Sequence, residues 1–521
     1  MTAATSPPAG PPDTPTPAAS SQHLDGSLLR GLAWTGIAKW TTQLLRWVAT
    51  FAIARLLTPA DYGLVGMAMV YVGFVQLFNE FGLNAAIIQN RSLSKSDIAQ
   101  LSGFAMLLAA GLFVLSVGLA GPIAAFFGEP AVRWIVVVLS AKFLIDAAAM
   151  PSRAMMSREL RFKRLAWVEG VEAIALVVVT LTAAIAWRSY WALVAGLIVS
   201  SVLAAIVAIA SSPFRPAVPR NLSAIRGSVM FGRDVVISTL AWYAYSNADF
   251  LVVGRVLSNA ALGVYTIAWN IASIPVEKTS VMLNRVAPPI FAAIQHDTAA
   301  LRRYFLGLTE GLAFITFPVS IGLALVAEEF VLTALGQKWV DAILPMQLLA
   351  FYAGFRSIMS LPPLVFVARG HTRQARDFAL VAAIVLPIAF FIGSRWGTAG
   401  VAAAWIVAFP LCVIPLDFRY SFRILELSAW QFVRILGPAL GGTAVMATAV
   451  LLLRTWLPDA LPVAVRLVAL AGVGAAVYGG YMLLVHGARL RTYRDNLKLA
   501  RAGARPMPAA EQPPPQQVTR V

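Results

Sequence analysis

The chain alternates long apolar runs with short polar links. The runs fall at 31–57, 62–88, 99–120, 131–150, 167–187, 190–211, 229–257, 260–290, 304–327, 341–367, 377–394, 398–418, 433–453 and 462–486, about fourteen in all, with ends good to a few residues. A helix crosses a bilayer with about 20 residues, and most runs meet that length. They are about twice as long as a membrane β-strand and do not alternate, which argues against a β-barrel. The pattern predicts an all-α polytopic membrane protein of about 14 transmembrane helices. Two links, GPIAAFFGEP and EEFVLTALGQKW, are apolar enough to predict short interfacial helices.

Polar residues inside the runs mark faces that cannot meet lipid, because hydrocarbon penalises charge by several kcal/mol. In the first run Thr35, Lys39, Thr42, Arg46 and Thr50 recur every three or four residues and share one helix face, with Gln43 beside them. Gln76, Glu80 and Asn84 do the same in the second run. Ser238, Trp242, Tyr245 and Asp249 form a stripe in the seventh. Asn270, Ser273, Glu277, Ser280 and Asn284 form one in the eighth, with Lys278 beside it, Arg285 just beyond, and Arg356 in the tenth run. These stripes predict a polar cavity. Other polar residues have a plainer reading. Lys142 and Asp146 sit four apart and can pair along their own helix. Glu169 and Glu172 lie near the basic loop RELRFKR and can pair there, while packing or interface anchoring accounts for Trp242 and Tyr245 as well as a cavity does.

The chain also repeats itself. ARLLTPADYGLVGMA (54–68) aligns without gaps to GRVLSNAALGVYTIA (254–268), and Asn84 pairs with Asn284 at the same offset of 200. Further on, FFGEP…MPSRAMMSRE parallels ALGQKW…LPPLVFVARG at a slightly larger offset, pairing Gly128 with Gly336, Pro151 with Pro362 and Arg158 with Arg369. This predicts two pseudo-symmetric six-helix lobes, parallel in the membrane, around a central cavity. The expected division is a tail at 1–27, lobes at 28–212 and 213–425, two additional helices at 426–488 and a basic, then Pro-rich tail at 489–521. At the offset of 200, Thr239 stands for Lys39 and Ser246 for Arg46, so anion binding is expected mainly from the first lobe.

Composition narrows the class. Charged residues make up 12% and hydrophobic ones 59%, with mean hydropathy +0.75; soluble domains carry about 25% charge. A net charge of +17 would suggest nucleic acid in a soluble chain. Here the cations sort by link. Even-numbered links hold clusters such as Arg153, Arg158, Arg161, Lys163 and Arg164, or Arg369, Arg373 and Arg376. Odd-numbered links hold few: Arg133, Arg188, Lys338, Arg395 and Arg454. The positive-inside rule then places the even links and both termini in the cytoplasm, and contact with anionic membrane lipids rather than nucleic acid explains the charge. The first twenty residues and the final RPMPAAEQPPPQQVTRV read as disordered tails, with no signal peptide expected.

Catalytic signals are missing. Cys412 is the single cysteine, and His23, His296, His371 and His486 are scattered, so neither a disulfide nor a metal site is expected. There is no GxxxxGK[ST] phosphate loop and no link large enough for a catalytic domain. The expectation is a non-enzyme without cofactors. A cavity presenting Lys and Arg attracts an anion, phosphate above all. Asn, Gln, Ser and Thr beside aromatic rings suit sugar hydroxyls and ring faces. Together they fit a phosphate-linked glycan on a lipid. Carboxylates such as Glu80, Asp249 and Glu277 are candidates for a coupling H+ or Na+.

The stretches ARLLTPADYGLVGMA, FNEFGLNAAIIQ (78–89) and PSRAMMSRELRFKRLAW (151–167) resemble the bacterial polysaccharide-transporter family. These are the lipid-linked oligosaccharide flippases of the multidrug/oligosaccharidyl-lipid/polysaccharide exporter superfamily, and the third stretch is most similar to the colanic-acid-type exopolysaccharide branch. The likeness covers about the first twelve runs. It implies a two-lobed 14-helix transporter of the inner membrane, working by alternating access. Its cargo would be undecaprenyl-diphosphate-linked repeat units, its drive an ion gradient, and its neighbours other polysaccharide assembly proteins. The alternatives are a multidrug or cation antiporter of the same superfamily, for which the cations of the first run are unsuited, and a membrane polysaccharide polymerase or glycosyltransferase, for which the odd links are too short.

Overall fold

A computed structural model of the chain describes residues 47–80, 87, 93–214, 216–218, 240, 242–370, 372–458 and 460–501, with side chains at all of these except 80, 278, 280–282, 284–286, 372–376, 413 and 488–501. Among them every regular element is a helix. The first lobe contributes α1 (Trp47–Leu56), α2 (Pro59–Glu80), α3 (Lys95–Phe127), α4 (Ala131–Arg158), α5 (Phe162–Trp187) and α6 (Trp191–Ser211). The second contributes α7 (Ala248–Val252), α8 (Asn259–Ala272), α9 (Ile274–Ala293), α10 (Thr298–Leu325), α11 (Ile343–Met359), α12 (Pro362–Ala368), α13 (Thr372–Gly393) and α14 (Gly397–Val413). Two more follow, α15 (Ala429–Trp456) and α16 (Val463–Arg501). Ten described segments are long and apolar enough to span a bilayer, and one of these, Asp377–Ile424, takes in most of α13 and all of α14. The protein is an all-helical, multi-pass membrane protein.

Local chemistry sets the helix starts. Ser94 and Asp97 form a capping box at α3, as Ser428 and Gln431 do at α15. The repeated motif caps both of its copies. Thr58 Oγ1 accepts from the Asp61 backbone N–H (3.3 Å) at the start of α2, and Ser258 Oγ accepts from the Ala261 N–H (3.1 Å) at the start of α8, 200 residues later. The Asp61 carboxylate also accepts the Tyr190 N–H at 2.9 Å and ties α6 to this turn.

The repeat pairing of Arg158 with Arg369 has a common use at the even-link end. Arg158 Nη2 donates to the Leu93 carbonyl (3.2 Å) just before α3, and Arg369 Nη2 donates to Thr298 Oγ1 (2.5 Å) at the start of α10. Each guanidinium pins the start of one long helix to the end of another in its own lobe. Arg369→Ala is expected to lower stability by about 1–2 kcal/mol, the worth of a charged hydrogen bond, read as earlier heat aggregation of the detergent-solubilised protein.

The structure corrects three expectations. The eighth run is not one helix: it breaks at Ser273, where α8 ends and α9 begins with Pro275 in its first turn. A proline N–H is missing anyway in a first turn, so the ring fits a restart there. The predicted Asn270–Asn284 stripe therefore spans two helices. The seventh run is likewise interrupted, at Asn247, and passes into a π-turn over Val253–Leu257. The link GPIAAFFGEP forms no separate helix, because α3 runs through Phe127; its counterpart does break, into Ala327–Phe330, a π-turn Val331–Leu335 and a 3-10 turn Gln337–Ala342.

Candidate functional site

The two lobes meet where the sequence repeats. An added Cβ at Gly63 would lie 1.6 Å from the Asn259 carbonyl oxygen, and one at Gly263 would lie 1.8 Å from the Pro59 carbonyl oxygen. Gly63 pairs with Gly263 and Pro59 with Asn259 at the repeat offset, so the contact is reciprocal, as a pseudo-two-fold axis requires. Only hydrogen side chains let α2 and α8 approach so closely. Further along, Tyr243 OH donates to the Val70 carbonyl (2.9 Å). Beyond Ser273, α9 packs against α10, α11 and α12 of its own lobe.

At the odd-link end this contact is latched. Trp339 is fully buried and its Nε1 donates to the Ala54 carbonyl at 2.9 Å. Lys338 Nζ donates to the carbonyls of Arg55 (2.7 Å) and Leu57, while Arg55 reaches back to the carbonyls of Ala334 (3.0 Å) and Thr333. The last carbonyls of a helix are unsatisfied and carry partial negative charge. The end of α1 is thus an acceptor cluster, and the second lobe supplies its cation. Tyr62 packs edge-on to Trp339 with ring centres 5.4 Å apart. The repeat partner of Arg55, Arg255, lies over Phe126 at the end of α3 (5.6 Å), so both arginines bridge to the opposite lobe.

Each lobe also holds a polar cluster. In the first, Lys142 Nζ pairs with Asp146 (2.7 Å), and Gln76 Nε2 donates to the same carboxylate from α2 (3.3 Å). Along-helix pairing of Lys142 and Asp146 agrees with the sequence reading; Glu172 pairs at 3.1 Å with Arg153 of α4, not with the RELRFKR loop. In the second, Asp249 is completely enclosed. Its Oδ2 accepts from Tyr265 OH (2.8 Å) and Trp405 Nε1 (2.9 Å), and its Oδ1 from the Phe250 N–H (2.9 Å). Tyr352 stacks on Trp405 at 5.1 Å, Trp269 lies 5.5 Å from Trp405, and the Arg356 guanidinium sits 5.1 Å above Trp269. A second acid, Asp417 on the π-turn Ile414–Phe418, is 2% exposed and has one oxygen with no partner among the described residues.

Of the sequence-predicted cavity residues, the structure places Gln76 half-buried against Asp146, Tyr245 half-buried with its ring 5.9 Å from Phe378, and Arg356 over Trp269. Trp242 is 51% exposed, and Asn270 and Glu277 are exposed. Asp249 differs from expectation: it is completely buried, with Tyr265 and Trp405 bonded to its carboxylate. Lys39, Gln43, Arg46 and Asn84, and the side chains of Glu80, Lys278, Asn284 and Arg285, lie outside the described residues. Sequence reasoning missed Arg55, Lys338 and Trp339 of the latch and Tyr265, Tyr352 and Trp405 around Asp249. Two signals for the latch were present: Arg55 recurs as Arg255, and Lys338 is one of the few cations in the odd links.

The chain matches the polysaccharide biosynthesis protein family over residues 52–344. It is 25% identical over 412 residues to the lipopolysaccharide biosynthesis protein WzxC of Escherichia coli (strain K12), covering 78% of this chain and 83% of that protein. It is 24% identical over 498 residues to the succinoglycan biosynthesis transport protein ExoT of Rhizobium meliloti (strain 1021), covering 93% and 98%. Among solved structures, the lipid II flippase MurJ in an inward closed conformation superposes with a TM-score of 0.70 at 13% identity, over 88% of this chain and 100% of that one, and shares its fold. With more than half its length matched, the chain belongs to the polysaccharide biosynthesis protein family.

Proposed function

We propose that the protein is a flippase that moves undecaprenyl-diphosphate-linked oligosaccharide units from the cytoplasmic to the periplasmic leaflet by alternating access, for surface or exopolysaccharide synthesis. The observation that carries this reading is the reciprocal α2–α8 contact: two pseudo-symmetric lobes are joined and latched at the odd-link end. The cation sorting assigns the even links, and with them both termini, to the cytoplasm. The latched end is then periplasmic and the cleft opens inward. The names of WzxC and ExoT support polysaccharide traffic, and that of MurJ a lipid-linked cargo on this fold. The lobes are assigned to residues 28–212 and 213–425, with α15 and α16 outside the repeat, in 426–488.

Lys39 and Arg46 hold the diphosphate, mainly from the first lobe, and the polar and aromatic residues Trp242, Tyr245, Asn270 and Arg356 meet the glycan. The coupling ion is a proton carried by Asp249. Its partners Tyr265, Trp405 and the Phe250 amide all donate hydrogen to the carboxylate, which suits a titrating acid better than a metal cation's oxygen cage. Other polysaccharide assembly proteins receive the flipped product.

Translocation by the purified protein in liposomes containing defined lipid-linked oligosaccharides tests this. Lys39→Ala with Arg46→Ala is expected to slow translocation on the order of tenfold, the worth of one charged contact to phosphate. Unchanged translocation at normal protein level sinks the anion-binding role. Proton-driven drug efflux without any oligosaccharide movement would favour the antiporter reading instead.

A further inference from the structure

The two helices outside the repeat converge on the latch. Glu329 sits in the short turn between α10 and the π-turn Val331–Leu335 and is 2% exposed. Its Oε1 receives Arg454 Nη2 (3.2 Å) from the end of α15 and faces Arg466 Nη2 (3.9 Å) at the start of α16. Glu328 pairs with the same Arg454. Four residues past Glu329, the Thr333 carbonyl takes the Arg55 guanidinium, and Lys338 and Trp339 follow.

Among the described residues the first lobe shows no equivalent ion cluster. There α3 runs unbroken to Phe127, so helix continuity alone fixes Phe126 beneath Arg255. In the second lobe the corresponding chain is broken into three short turns. Short pieces of differing helix type are not held in line by one continuous hydrogen-bond ladder as α3 is. A buried carboxylate gripped by two guanidiniums is directional and is lost sharply when one partner is removed.

We propose that α15 and α16 are a brace for the periplasmic gate: Arg454 and Arg466, through Glu329, position Val331–Leu335 so that Arg55 can close on its carbonyls. Glu329 is a positioning residue that touches neither cargo nor coupling ion. The proposal rests on the alternating-access reading only in that the latch opens and closes during transport.

The test is cross-linking of Phe51→Cys to Phe330→Cys, whose rings now meet at 5.5 Å, in full-length protein with the single native cysteine replaced, Cys412→Ser. Adding Glu329→Gln, or Arg454→Ala with Arg466→Ala, is expected to lower the cross-linking yield on the order of tenfold at unchanged membrane level. Arg454→Lys, which keeps the charge, is expected to retain most of it. Where Glu329→Gln fails to insert, Arg454→Gln carries the same expectation, since Glu329 keeps Arg466. Unchanged yield in these variants, or a lowered melting temperature with yield unchanged, overturns the proposal, because the ion cluster then supports the fold and not the gate. Cross-linking needs no cargo. A wild-type protein that cross-links but moves no oligosaccharide in liposomes would sink the flippase reading and leave the brace standing.

Discussion

Gly63→Leu, or Gly263→Leu in the opposite lobe, is expected to abolish translocation while leaving both lobes folded and inserted. The obstacle is backbone. A Cβ at either position falls within 1.8 Å of a carbonyl oxygen of the facing helix, and no rotamer change can relieve that. The helices must separate, and the latch beyond them must open. Overpacking of this kind costs about 3 kcal/mol or more. Against a two-state lobe equilibrium, that much shifts the population on the order of 100-fold away from the latched form. The helix pairs inside each lobe are left intact, so insertion and protein level should change little. Export of polysaccharide and Phe51–Phe330 cross-linking are both expected to fall to background. The comparison that isolates the cause is Gly66→Ala. Its Cβ would meet only side-chain atoms of Leu262 and Thr266 at 3.4 Å, and it is expected to retain most activity. Normal export by Gly63→Leu would mean that the latched state is not visited during transport.

The architecture was legible because bilayer thickness and backbone satisfaction leave little choice. The described parts of the apolar runs are helical, and a gapless match of fifteen residues became a pseudo-symmetric contact. The Gly63–Gly263 pairing was implicit in it, since repeat partners that lie on the axis must touch each other. What proved illegible was where helices break. Pro122 and Pro151 lie inside unbroken helices, whereas Pro275 sits at a restart. Neighbouring helices can absorb a proline's lost hydrogen bond, so the residue alone does not decide. The latch was hidden for a different reason. Lys338 and Arg55 act on main-chain carbonyls, which have no sequence signature, and Trp339 looked like any apolar position. Asp249 was found as an intramembrane acid, but its aromatic enclosure comes from α8, α11 and α14, far apart in the chain.

That enclosure makes Asp249→Asn the variant expected to separate translocation from its driving force. An ionised carboxylate removed from water costs several kcal/mol unless a cation or enough donors compensate. Here the compensation is Tyr265, Trp405 and one backbone amide, all neutral. Arg356 caps Trp269, and Tyr352 stacks on Trp405, so the ionisable groups of α8 and α11 ring the site without an ion pair to Asp249 among the described residues. Protonation removes the charge but breaks this pattern, because the carboxyl must then donate to a group that now donates to it. A rearrangement of these bonds on protonation is what coupling a proton to lobe movement requires. Asparagine imitates the neutral state permanently and keeps an acceptor for Tyr265 and Trp405. The expected result in liposomes is a rate that is the same with and without a pH gradient, where the wild type is accelerated. The fold should survive, since no cation is left unpaired. Tyr265→Phe removes one donor while leaving the acid in place, and is expected to change the pH at which the gradient acts and not to remove its effect. Persistent gradient stimulation in Asp249→Asn would move the coupling site elsewhere, and Asp417, the other buried acid of this lobe, would be the next residue to replace.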